Sequence, residues 1–187
     1  MYTDKIKETL KGERIVLRKF NEQDREAVYE YASDEETLKY LVWEGVKTLE
    51  DADKAIADYY IKTPGVYAIA LKETNDCIGA IDIRIIEEHD KASFGYVLNK
   101  KYWGNGFVTD ALYLILTHCF VDLELQRVES THYKENIGSG RVMQKCGMRY
   151  EGLARREEKI NGVYQDVVHY GILREDFLVI TNVLNRK

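Results

Sequence analysis

The sequence predicts an α/β fold: a mixed, mainly antiparallel sheet that contains one parallel βαβ unit. Three β-rich runs joined by short polar segments predict an antiparallel meander, over residues 66–72, 77–86 and 92–98. A helix predicted over residues 106–120 then leads to a strand over residues 127–132, which is the order of a parallel crossover. Asn161-Gly162, the strongest short turn signal in the chain, predicts a closing hairpin between residues 149–160 and 163–173.

The chain before the meander begins with a strand and a helix. Residues 14–20 are an apolar-rich strand candidate. Asn21, three residues before Asp24, is a good N-cap for a helix over residues 23–32.

Two further helices carry their own start or stop signals. Thr48 and Asp51 resemble a capping box at the start of one helix, whose apolar residues recur at helical spacing until Pro64-Gly65 ends it. Residues 139–146 predict a short helix, and Gly147 suits the position after it, where a positive φ is needed.

Composition narrows the class of protein. The 187 residues are 45% hydrophobic, enough for one ordinary core, and no linker or repeat divides them, so we expect a single domain over residues 1–187. No stretch approaches the roughly 20 apolar residues that span a bilayer, and the start of the chain lacks an apolar signal segment. This predicts a cytoplasmic protein without a membrane partner. The net charge of −5 argues against a nucleic-acid partner, because phosphate recognition needs a basic surface.

The cysteines do not suggest a metal site or a disulfide framework. Cys77, Cys119 and Cys146 lie far apart in sequence, without a CxxC pair or a histidine at metal-ligand spacing. We therefore expect reduced thiols in the core and no metal.

Residues 102–111 are the most informative stretch, because a glycine-containing turn lies there between a predicted strand and a long predicted helix. Such a turn exposes several backbone N–H groups in one direction, and the helix dipole adds partial positive charge, so a phosphate can bind without basic side chains. Phe107 and Val108 follow Gly106, which excludes a Walker loop, and the preceding meander argues against a dinucleotide-binding unit. A tight turn without a ligand remains an alternative at this point.

Two blocks of sequence resemble a known family. The run 103–108, Trp-Gly-Asn-Gly-Phe-Val, resembles the acetyl-CoA pyrophosphate loop of the GNAT acetyltransferases, with Gly106 at its central glycine. Trp103 stands where many members have Arg or Gln, and Tyr-Trp-Gly-x-Gly is typical of the branch that includes the RimJ and RimL ribosomal-protein N-terminal acetyltransferases. The second block, residues 136–152, resembles the Asn-x-x-Ser, Lys-x-Gly-Phe and Glu-Gly elements of that branch. The resemblance extends over residues 13–177.

The resemblance implies an acetyl-CoA-dependent N-acetyltransferase that acts on a primary amine, such as the N-terminal amine of a ribosomal or other protein. It also implies a GNAT-type sheet of about seven strands, flanked by helices, in which a splayed pair of strands forms the acetyl-CoA cleft. The residues that it assigns to the cofactor are Leu98, Trp103, Gly104, Asn105, Gly106, Phe107, Val108, Thr109 and Asn136. A turn residue is the alternative for Asn136.

The same resemblance assigns three catalytic residues. The main-chain N–H of Tyr96 would face the acetyl oxygen, Ser139 would donate a proton to the departing thiolate, and Glu151 would be the general base, its pKa raised by partial burial. Met143 stands where many members have a tyrosine acid, and Ala92 where some have a glutamate base. The alternatives are structural: a paired strand amide at Tyr96, a helix cap at Ser139 and a solvated side chain at Glu151.

The sequence leaves the acceptor amine open. A small amine, such as a polyamine, an aminoglycoside or an amino-acid analogue, is an alternative that an acidic pocket would favour. A catalytically silent acyl-CoA-binding module is another. Trp43 and Tyr40 are candidate aromatic walls of the acceptor pocket, or else core residues. A homodimer is compatible with the resemblance, because dimers are common among relatives.

Overall fold

The structure is a computed structural model that describes residues 1–160 and 162–184. Within these residues eight strands are formed: Thr9–Lys11 (β1), Ile15–Arg18 (β2), Val66–Leu71 (β3), Cys77–Ile86 (β4), Lys91–Leu98 (β5), Arg127–Tyr133 (β6), Arg149–Ile160 (β7) and Val163–Leu173 (β8). They make one sheet in the order β1-β2-β3-β4-β5-β6-β8-β7. All neighbours are antiparallel except β5 and β6, which are parallel. The predicted mixed, mainly antiparallel α/β fold is confirmed, with eight strands instead of about seven.

The same residues form six α-helices: Arg25–Ala32 (α1), Glu35–Leu38 (α2), Leu49–Ala55 (α3), Phe107–Thr117 (α4), Ile137–Lys145 (α5) and Arg174–Leu184 (α6). Ile56–Tyr60 and His118–Asp122 continue α3 and α4 as π-helical turns. No helix in the described part of the chain is long and apolar enough to cross a membrane.

The predicted caps form as the local chemistry requires. Asn21 and Asp24 make a reciprocal capping box, which opens a 3₁₀ turn that leads into α1. Thr48 and Asp51 make the same arrangement at the start of α3. Gly147, just after α5, has a φ of 84°, the left-handed conformation that glycine adopts without steric cost.

The helices and strands that the sequence did not predict are short or lack a start signal. β1 has three residues and α2 has four, too few for a periodic pattern, and α6 follows β8 without an intervening turn. α5 begins at Ile137, two residues before the predicted start. The predicted hairpin pairs as far as Ile160 and Val163, while Asn161 lies outside the described residues.

Helices cover both faces of the sheet. Along β3, Tyr67 and Ile69 join a core cluster that contains α4, whereas Val66 and Ala68 join a second cluster that contains α1 and α3. Successive side chains of β3 therefore point to opposite faces of the sheet, and both faces are buried. The three cysteines are buried and free, as predicted.

The parallel contact between β5 and β6 is short. It pairs only Lys91–Ser93 with Arg127–Glu129, although both strands continue beyond these residues. A gap therefore opens in the sheet between the second half of β5 and the second half of β6, and the candidate site lies there.

Candidate active site

The open edge of β5 directs backbone amides into the gap. On its other edge, Asn99 N–H donates to the Ile78 carbonyl at 2.9 Å and Gly95 N–H donates to Asp82 Oδ1 at 2.8 Å. Because amides alternate in direction along a strand, the N–H groups of Tyr96 and Leu98 point to the opposite side, toward β6. The amides of Tyr96 and Leu98 thus lie beyond the last β5–β6 pair.

The glycine loop follows β5 directly and ends at the N-terminus of α4. Gly104 and Gly106 have φ values of 78° and 82°, so both positions use the conformational freedom of glycine. Among the described residues no side chain caps α4, and its first backbone bond runs from Asp110 N–H to the Gly106 carbonyl. The amides of residues 107–109 therefore have no partner within the helix, which fits the binding of a diphosphate.

Three predicted loop residues use their side chains to shape the loop. Trp103 Nε1 donates to the Leu98 carbonyl at 2.8 Å, which ties the loop to β5. The side-chain amide of Asn105 donates from Nδ2 to the carbonyls of Tyr102 and Trp103, at 3.2 and 3.1 Å. Val108 packs its side chain into the core. These side chains hold the loop. The Trp103 N–H donates to the Lys100 carbonyl at 3.1 Å, whereas the backbone N–H groups of Asn105 and Val108 remain for a ligand.

Two hydroxyl groups meet across the gap. The Tyr96 hydroxyl on β5 donates to Ser139 Oγ on α5 at 2.8 Å. Burial raises the pKa of Tyr96 to about 12, while the bond to Ser139 acts in the opposite direction, so the phenol is protonated at neutral pH. The sequence analysis assigned a role to the Tyr96 amide but missed this side chain, because the spacing of two distant residues does not show a contact.

Asn136 fixes the position of Ser139. Its Oδ1 accepts from the Ser139 N–H at 3.3 Å and caps α5. The alternative that Ser139 itself caps the helix is wrong, since that role belongs to Asn136. The Ser139 hydroxyl, on a buried residue, is left for the gap.

A cavity of about 650 Å³ extends from the gap toward the segment between α2 and α3. Tyr40 and Trp43 line it, so they form a wall of the cavity and are not closed core. Three carboxylates share the lining: Glu44, Asp82 and Glu158. Arg84, which pairs with Asp82, also lines the cavity, so the aromatic surface is combined with a net negative charge, which suits a cationic amine.

Glu158 is one of the three carboxylates that line the same cavity as Tyr96 and Ser139. It lies on β7 and accepts a hydrogen bond from the hydroxyl of Tyr133, at the end of β6. Desolvation and this bond raise the pKa of Tyr133, so the tyrosine remains a neutral donor. Sequence reasoning missed Glu158, because it lies in a run of charged residues on an exposed strand without a distinguishing signal.

Asp82 is a second carboxylate of the cavity lining, and its side chain is largely buried. Burial raises its pKa, while Arg84, 3.2 Å from its Oδ2, acts against the rise. Its other oxygen accepts from Gly95 N–H. This carboxylate therefore contributes negative charge next to the open strand.

Glu151 lies outside the cavity lining. Its carboxylate forms a bidentate ion pair with Arg127, with Oε1 2.7 Å from Nη1 and Oε2 2.5 Å from Nη2. The hydrogen bond with Arg127 lowers the pKa of Glu151, so the predicted rise is wrong. The physical reason is that a cationic partner outweighs the small desolvation of a half-exposed side chain.

No group of His, Cys, Asp and Glu side chains in the described part of the chain could hold a metal ion. The geometry presents strand amides, a helix N-terminus, a hydroxyl pair and a carboxylate around one gap. Such an arrangement can hold a diphosphate ester and move protons on either side of a reacting carbonyl.

Comparison with known proteins defines the family. Residues 14–149 match the acetyltransferase (GNAT) domain, and the chain belongs to this family. It is 34% identical to the uncharacterized N-acetyltransferase YnaD of Bacillus subtilis, over 88% of this chain and 96% of that protein. It is 31% identical to the uncharacterized N-acetyltransferase p20 of Bacillus licheniformis, over 91% and 98%. A crystal structure of a GNAT-family acetyltransferase from Bacillus anthracis superposes with a TM-score of 0.82 at 33% identity, covering 89% of this chain and 99% of that one.

The protein is therefore an N-acetyltransferase, an acyltransferase that uses acetyl-CoA as the acetyl donor. The fold predicted from the resemblance is confirmed by the same match.

Proposed function

We propose that the protein acetylates a primary amine by direct attack of the amine on the thioester of acetyl-CoA, within a single domain of residues 1–187. The observation that carries this proposal is that Ser139, backed by Tyr96, and Glu158 line one cavity at the gap between β5 and β6. A proton donor and a proton acceptor are thus available around the same reaction space.

Acetyl-CoA would bind along the glycine loop and the open edge of β5. The amides of residues 104–109 would hold the diphosphate, and Leu98 and Asn136 would contact the pantetheine arm. Tyr96 N–H would donate to the acetyl oxygen as charge develops there. These assignments rest on the direction of the strand amides and on the uncapped N-terminus of α4.

The proton transfers follow from the side chains in the cavity. The amine nitrogen bonds to the acetyl carbon and the carbon–sulfur bond breaks. The Ser139 hydroxyl donates its proton to the departing thiolate while it takes the Tyr96 hydroxyl proton along the bond between them, and solvent then returns a proton to Tyr96. Glu158 takes the proton that the amine loses, a role the sequence analysis gave to Glu151, which is held in the pair with Arg127 outside the cavity lining.

The first acceptor that we propose is a protein N-terminus, in line with the RimJ/RimL-like motifs. The enzyme would be cytoplasmic and would work as a homodimer. An α-amino group has a pKa of about 7.7 to 8.0 and is partly neutral at pH 7, which favours it as nucleophile. A small cationic amine is the second candidate, favoured by the three carboxylates of the cavity.

An acceptor screen by thiol release tests the function. Short peptides with free N-termini are compared with the same peptides after N-terminal blocking, and monoamines with diamines of equal length. We expect turnover with free peptides and none with blocked ones, whereas a preference for diamines would select the second candidate. Binding of coenzyme A without thiol release for any amine would contradict the proposal and identify a silent acyl-CoA-binding module.

A further inference from the structure

Arg14 reaches the glycine loop from a distant part of the chain. It immediately precedes β2, and its carbonyl accepts from Lys72 N–H at 3.0 Å, which fixes its backbone to the sheet. Its Nη1 donates to the Asn105 carbonyl at 3.0 Å, across a sequence separation of 91 residues. The guanidinium also lies over the Phe107 ring, 5.0 Å from its centroid.

The remaining contacts of Arg14 are with an acid in the first turn of α4. Nε and Nη2 lie 2.8 and 2.7 Å from Asp110 Oδ2. A carboxylate at this position stabilises the helix dipole, but it places a negative charge beside amides that would hold a diphosphate. Two like charges at one site oppose each other unless a cation lies between or beside them.

The guanidinium is close to the loop itself. A Cβ at Gly106 would lie 3.3 Å from Arg14 Nη2, so the cation borders the residue whose positive φ turns the chain into α4. Arg14 therefore contacts the loop carbonyl, the first aromatic residue of the helix and the acid of its first turn at once.

We propose that Arg14 is a positioning residue for acetyl-CoA, which holds the Asn105 carbonyl and neutralises Asp110 so that the amides of residues 104–109 bind the diphosphate. This inference rests on the proposed position of the diphosphate at the loop. Arg14 acts on the binding of coenzyme A and not on the acetyl-transfer step, which depends on the groups at the gap between β5 and β6.

A double-mutant cycle tests the inference by isothermal titration calorimetry with coenzyme A. We expect Arg14→Ala to weaken binding at least about tenfold, because it removes charge-assisted bonds and leaves Asp110 unopposed. Asp110→Asn is expected to bind as well as the wild type or more tightly, and the double variant Arg14→Ala/Asp110→Asn to recover part of the loss. Arg14→Lys, which keeps the charge but not the three contacts, is expected to lie between Arg14→Ala and the wild type.

The control is Arg149→Ala, which removes an Arg–Asp pair of similar length, Arg149 Nη2 to Asp176 Oδ1 at 2.7 Å, away from the loop. It should leave the affinity for coenzyme A unchanged. Steady-state kinetics should show a raised KM for acetyl-CoA in Arg14→Ala with kcat at saturation within about twofold.

Two results would overturn the inference. One is an Arg14→Ala variant that folds and binds coenzyme A within twofold of the wild type. The other is a double variant as weak as Arg14→Ala, which would exclude neutralisation of Asp110. A wild-type protein that shows no heat with millimolar coenzyme A would instead contradict the proposed site as a whole.

Discussion

The two ends of β7 place the same kind of side chain in opposite settings. Glu151 and Glu158 both reach across β8 to a residue of β6, but Glu151 meets the cation Arg127 and Glu158 meets the neutral hydroxyl of Tyr133. Gly171 on β8 permits the first contact, since a Cβ there would lie 2.5 Å from Glu151 Oε1 and 2.6 Å from Arg127 Nη2. The cation holds Glu151 ionised as part of the sheet, whereas Glu158 lines a cavity where an amine can approach.

This comparison teaches that the partner of a carboxylate, more than its place in a motif, decides its chemistry. A carboxylate fixed by a bidentate guanidinium is a poor proton acceptor, because protonation would break two charge-assisted bonds. A carboxylate that accepts one bond from a phenol keeps lone pairs for a second donor.

The largest effect that this comparison predicts is for Glu158→Gln. We expect kcat to fall by about 10²-fold near pH 7, because an amide cannot accept the proton of the amine. The loss should shrink at higher pH, where more of the amine is already neutral. A pH series of kcat and KM with the best acceptor of the screen measures both effects.

Glu157→Gln is the matched control for this variant. Glu157 is the next residue on β7 and pairs with His169 at 2.6 Å, outside the cavity lining. An equal fall in kcat for both variants would show that Glu158 is not the general base. The proposed difference in role between Glu151 and Glu158 would then be wrong.

The hydroxyl pair should give the next largest effect. Ser139→Ala is expected to lower kcat by about 10-fold or more, and Tyr96→Phe by less, since Tyr96 acts through Ser139. Because the pKa of Tyr96 is about 12, its proton remains in place and the wild-type kcat should show no alkaline fall from this group below pH 10. Stopped assays of thiol release at saturating acetyl-CoA measure both quantities.

Tyr113→Phe is the control for the loss of a phenol, because Tyr113 packs on Phe177 in the core cluster, with ring centroids 5.6 Å apart. If Tyr96→Phe were no slower than Tyr113→Phe, the relay through Ser139 would be excluded, while Ser139 alone could still be the donor.

Local signals explain what the sequence predicted well. The glycine loop, the capping boxes at Asn21 and Thr48, and the turn at Gly147 each depend on residues within one or two turns of each other. The strands of the meander likewise follow from runs of adjacent residues, and β4 and the β7–β8 hairpin begin and end at the predicted residues. Short-range chemistry of this kind can be recognised in a single sequence.

The features that the sequence did not predict depend on contacts between residues that are distant in the chain. The bonds of Tyr96 to Ser139, Tyr133 to Glu158 and Arg14 to the loop each join segments brought together only by the sheet. The error at Glu151 has the same origin, since its partner Arg127 lies on another strand. The resemblance located the loop. The pKa of a side chain such as Glu151 depends instead on the groups in contact with it, and those contacts are set by the tertiary fold.

The smallest predicted effect completes the comparison at the other end of β7. Glu151→Gln should leave kcat within about twofold of the wild type and lower the free energy of unfolding by about 0.5 to 1 kcal/mol at pH 7, since the pair is partly exposed. The lowered pKa means that the stabilisation is present above the usual pKa of a glutamate and is lost as the pH falls through the folded-state value. Urea unfolding of both proteins should therefore show a difference at pH 7 that narrows progressively in acid. A stability difference that is independent of pH would show that the ion pair with Arg127 is not what Glu151 contributes, and a large loss of kcat would restore it as a candidate base.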